Sequence, residues 1–168
     1  GQDVATGGFT TSTTTTTTSG GGALDCDNDT KQIYVISKDG HLHKFEPKYV
    51  QDKGEASFTD LGAINCPSGS TPNSMAVDRN GVAWVDYKDG TIFKVDTGTL
   101  ACSATSFSYP QNLGPKFGMG FSSDAQGSSG ETLFAVNDGG IELFKIDTNS
   151  LSVSSVSRFS SPVMGGAV

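Results

Sequence analysis

Apolar and polar positions along this chain recur with a long period and show no sustained helical pattern. Residues 33–46, 83–96 and 133–147 align with one another, the third with one additional residue. Gly40, Gly90 and Gly140 fall fifty positions apart, and Lys44, Lys94 and Lys145 follow the same course. Each unit reads as an apolar strand, an Asp-Gly or Gly-Gly turn able to hold φ > 0, and a second strand alternating apolar with polar residues. A shorter strand is expected upstream of each hairpin, at 23–25, 74–78 and 118–122. Outer strands are expected downstream, at 58–62 and 151–156.

Four strands in a unit of roughly 45 to 50 residues is the pattern of a β-propeller blade. The expected fold is therefore all-β: three four-stranded blades plus the first strand of a fourth, behind an extended Thr-rich N-terminal segment. The expected boundaries are 1–22 for a Gly/Thr-rich linker or strand-donating tail, 23–66, 67–107 and 108–161 for blades, and 162–168 for the further strand. The second unit carries a strand, an Asp-x-x-Gly turn at Asp78 to Gly81, an aromatic strand around Trp84 and the Asp89-Gly90 hairpin. In that order it resembles the repeats of NHL and SMP-30-type propellers, and it is similar to secreted propeller-like bacterial lipoproteins with no assigned function. Such repeats specify fold far better than function. Closed propellers need about four to eight blades. Three blades leave two faces uncovered, so either the chain is part of a longer one or copies complete each other.

Residues 7–22 are Gly, Ser and Thr with one phenylalanine, and cannot bury enough apolar surface to offset the entropy of ordering. Their expected use is a spacer, with Thr13, Thr14, Thr15, Thr16, Thr17 and Thr18 as candidate O-glycosylation sites. Because threonine favours extended backbone, the same segment could instead add as a strand to a sheet edge, in its own subunit or a neighbour. The chain starts at Gly1, as after removal of a leader or trimming.

Composition narrows the picture. The 168 residues include 22 glycines and only 17% charged side chains, against about 25% in ordinary soluble domains. A net charge of −7 with singly scattered lysines and arginines offers no basic stripe, which argues against nucleic acid as a partner. No apolar run approaches the roughly 20 residues of a membrane-spanning helix. Cys26, Cys66 and Cys102 lack the close pairing of zinc and redox motifs. Cys66 and Cys102 end the first two units and suit a disulfide in an oxidising compartment, although either could pair with Cys26 and all three could be free thiols.

Candidate chemistry is sparse. His41 and His43 share a strand face, the minimal arrangement for a metal pair, with no recognisable third ligand. Asp25, Asp27 and Asp29, with Asn28, crowd oxygens as Ca²⁺ loops do, yet Lys31 and Gln32 break the EF-hand pattern. The Thr71-Pro72-Asn73 segment resembles one that supplies a divalent-metal ligand in SMP-30-like lactonases, and Asn73 is the one residue that carries over. Gly127-Ser128-Ser129-Gly130 lacks the strand-turn-helix setting of a nucleophile elbow. Tyr34, Trp84 and Phe134 recur at equivalent places and are expected to pack between blades, while Tyr87 and Tyr109 are candidate exposed rings for glycan stacking.

The function expected from these features is non-catalytic: a secreted or cell-surface protein, with no cofactor, serving interaction or self-assembly as a homo-oligomer or filament. The alternatives are a lectin-like propeller binding glycan or a surface protein, and a metal-dependent lactonase.

Overall fold

The computed structural model describes residues 32–47 and 57–163. These form three antiparallel sheets. Sheet 1 holds β1 (Ile33–Ile36), β2 (His41–Phe45) and β3 (Phe58–Ala63). Sheet 2 runs β4 (Pro72–Val77), β5 (Val82–Tyr87), β6 (Ile92–Asp96) and β7 (Cys102–Ala104). Sheet 3 runs β8 (Phe117–Ser123), β9 (Glu131–Asn137), β10 (Glu142–Ile146) and β11 (Val153–Arg158). Within each sheet consecutive strands pair antiparallel. The strand expected at 23–25, the tail with Thr13 to Thr18, Asp25, Asp27, Asp29 and Cys26 all lie outside the described residues.

The repeated glycines do what their position demands. Gly40, Gly90 and Gly140 have φ of 84°, 81° and 63°, a region closed to most side chains. At Gly90 the space is also taken, because a Cβ there would overlap the Tyr109 ring.

Strand register sorts each hairpin into two quartets, since side chains alternate between faces. In sheet 2, Ala83 opposes Val95 and Val85 opposes Phe93 on one face, while Trp84 opposes Lys94 and Asp86 opposes Ile92 on the other. The first face packs on Tyr34, Ile36 and Leu42 of sheet 1. From the second, Trp84 and Ile92 pack on Leu133, Ala135, Phe144 and Ile146 of sheet 3. The middle sheet is thus covered on both sides, which explains why β5 is buried from Ala83 to Tyr87. Each outer sheet offers one face to the core.

Trp84 accordingly lies between sheets, edge-on to Phe121 with centroids 6.2 Å apart, and Tyr34 belongs to the other inter-sheet cluster. Phe134, the third of the series, stays half-buried on the far face of sheet 3. One expectation needs correction. The last strand begins at Val153 because Leu151 takes φ of 61° and its N–H closes a turn on the Asp147 carbonyl, 2.8 Å away. Pro162 and Val163 form no strand; the Val163 N–H bonds the Gly140 carbonyl at 2.8 Å, and 164–168 lie outside the described residues.

Candidate functional site

Asn73 is the sequence candidate with the most developed surroundings. It follows Pro72 at the start of β4, and the register slip between Pro72 and Ser74 turns its side chain inward. Its Nδ2 donates to Asp86 Oδ2 at 2.8 Å and to the Phe117 carbonyl at 3.1 Å. One amide therefore joins β4, β5 and β8. Asp86 is fully buried, and among the described residues its Oδ1 has no hydrogen-bond partner. Burial pushes its carboxyl up to about 8; the Asn73 amide and the Phe117 backbone oppose that rise, and the Asp89 charge adds to it. Burial thus favours the neutral acid at Asp86, which is held between two sheets where the equivalent positions carry Ile36 and Val136.

Two more residues, Met119 and Arg79, bind sheet 2 to sheet 3. Met119 N–H donates to Ser74 Oγ at 3.1 Å. Arg79, from the Asp78 to Gly81 turn, reaches Glu131 Oε2 with Nε at 3.4 Å, the Ser128 carbonyl with Nη1 at 3.0 Å and Ser123 Oγ with Nη2 at 2.9 Å.

His41 and His43 stack with centroids 6.3 Å apart. His41 Nδ1 lies 3.0 Å from Asp60 Oδ2. The Gly62 amide, and then His41, hold Asp60 below the usual carboxylate range. Among the described residues no three His, Cys, Asp or Glu side chains converge to hold a metal. Tyr87 corrects the expectation of an exposed ring: it is 4% exposed, because it shares the sheet 1-facing side of β5 and packs edge-on to Phe93 at 5.4 Å. Tyr109 remains exposed.

Cys66 and Cys102 form a disulfide, with Cα atoms 5.3 Å apart. It staples the segment after β3 to β7, and so joins sheet 1 to sheet 2. Such a bond is compatible with an extracytoplasmic protein. Among the described residues no helix is long and apolar enough to cross a membrane.

The outward face of sheet 1 is the feature that sequence reasoning left unlocated. Ile33 and Val35 are 47% and 40% exposed, whereas Ala83 and Val85, at the same repeat positions, are both 0% exposed. Phe58 adds a ring that is 46% exposed and lies 4.6 Å from Phe45, its cross-strand partner on that face. The outward face of sheet 3 presents Phe134, Val136, Leu143 and Lys145, the counterparts of Trp84, Asp86, Ile92 and Lys94.

No family model and no curated protein sequence matches the chain. Among solved structures it is similar to a structural-genomics protein of unknown function from Bacteroides thetaiotaomicron VPI-5482, at 13% identity and a TM-score of 0.54. The match covers 76% of this chain and 31% of that one. The likeness is one of fold, and this chain spans less than a third of the length of that one.

Proposed function

We propose that the three sheets are blades of a β-propeller-type array, of the NHL/SMP-30-like kind, and that the chain is a non-catalytic scaffold for interaction or self-assembly outside the cytoplasm. The carrying observation is the exposure of Ile33 and Val35, where the same repeat positions in sheet 2 are sealed by a neighbouring sheet. Contiguous exposed apolar patches mark surfaces that meet a protein, membrane or ligand. The Cys66–Cys102 disulfide supports the oxidising location. Asn73 ties β4 to β5 and β8 through its Nδ2, a structural role, and the metal-ligand role of the lactonase reading would fall to its Oδ1. With Tyr87 buried, the glycan-binding alternative keeps only Tyr109.

Sedimentation velocity over a hundredfold range of concentration tests the proposal. Concentration-dependent association of the purified chain is expected. A monomer throughout, with the apolar faces in place, would overturn self-assembly and leave interaction with a different protein.

A further inference from the structure

We infer that copies of this chain pair head to tail, the outward face of sheet 1 in one copy seating on the outward face of sheet 3 in the next. This rests on the self-assembly reading and adds which surface meets which.

The chain itself contains the required interface twice. At each internal junction the face bearing the aromatic-lysine pair meets the aliphatic face of the following sheet. Tyr34 and Leu42 meet Val85 and Val95 at the first junction. Trp84 and Ile92 meet Leu133 and Phe144 at the second. The outward face of sheet 3 is a third surface of the first kind, with Phe134 directly opposite Lys145. The outward face of sheet 1 is a third surface of the second kind, with Ile33 opposite Phe45. The partner that fits either face is therefore a repeat of this same type, and a second copy supplies it.

Three further details agree. The space beside Gly120 is open, with no atom within 4 Å of where its side chain would begin. Ala76, its counterpart on β4, is buried against sheet 3. The charges are complementary, with Lys145 exposed on the sheet 3 face and Asp60, opposite His43, on the sheet 1 face. Such an interface is heterologous, joining two different patches, so it closes only if the rotation per sheet allows. The described sheets of two copies together number six, within the four to eight that closed propellers use.

Complementation of blocked faces tests this. Val35→Glu blocks the sheet 1 face and Val136→Glu blocks the sheet 3 face, while Lys145→Glu, on an exposed side chain, is a milder second variant of the latter. Circular dichroism and thermal melting establish that each variant is folded. Head-to-tail pairing predicts that each single variant loses self-association at least tenfold, and that mixing Val35→Glu with a sheet 3 variant restores a one-to-one complex. If the unsubstituted chain is monomeric, the self-assembly reading falls and this inference with it. If that chain associates but the sheet 3 variants still pair with themselves, the assignment of faces is overturned and self-assembly stands.

Discussion

The Lys94 ammonium sits 4.0 Å from the centroid of the Trp84 ring, directly across the hairpin between β5 and β6. The same cross-strand pairing recurs as Tyr34 with Lys44 and Phe134 with Lys145. A cation over an aromatic face contributes about 0.5 to 2 kcal/mol, more where water is excluded. A double-mutant cycle on Trp84→Leu and Lys94→Met should therefore give a coupling of about 1 kcal/mol by denaturant unfolding. The Phe134 and Lys145 pair should couple less in the isolated chain, because Lys145 is exposed.

Asp86 makes stability depend on pH in an unusual direction. Its folded pKa of about 8 lies above the ordinary value of 3.8. Its contribution is thus complete below pH 4 and is lost as pH rises through 8, at up to about 1.4 kcal/mol per pH unit. Asp86→Asn should remove that slope and leave the protein more stable than the parent above pH 8, as read from urea midpoints across pH. An unchanged slope would show that the acid is not buried in solution.

The Cys66–Cys102 bond spans a sequence separation of 36, for which the chain-entropy model gives about 4 kcal/mol. Replacing both cysteines by serine should lower stability by that order and loosen sheet 1 first. Hydrogen exchange would show it as faster exchange in β2 and β3 than in β9 and β10.

A turn missed at the sequence level repeats with the sheets. Asp96 Oδ1 accepts from the Thr99 and Gly98 amides at 2.7 and 3.1 Å, and Asp147 Oδ1 accepts from Ser150 and Asn149 at 2.7 and 3.0 Å. Each turn ends in a leucine of positive φ, Leu100 at 60° and Leu151 at 61°. Bonds to the Thr99 side chain and amide hold Asp96 below the ordinary carboxylate value, and bonds to the Ser150 amide and side chain do the same for Asp147. Their contribution is therefore present above pH 4 and lost in acid. Asp96→Ala should lower the melting temperature at pH 7 more than at pH 3, with Asp96→Asn intermediate.

The repeats were legible because register, turn glycines and opposed lysines all obey local rules. Gly40, Gly90 and Gly140 stand in the sequence where the left-handed backbone requires them. The burial of Tyr87 was not legible, because it depends on a neighbouring sheet rather than on the turn it precedes. Asp86 left a trace: a carboxylate in an otherwise apolar strand, at the place of Ile36 and Val136. The Cys66–Cys102 pairing was not legible beside Cys26, because it depends on the packing of sheet 1 on sheet 2 that brings the two cysteines together.

Electron cryomicroscopy of the purified particle tests the central claim most directly. Sheets are expected to follow one another around an axis, with Ile33 and Val35 of one copy buried against Phe134 and Val136 of the next. Separate three-sheet molecules, or an assembly that leaves Ile33 and Val35 facing solvent, would contradict it.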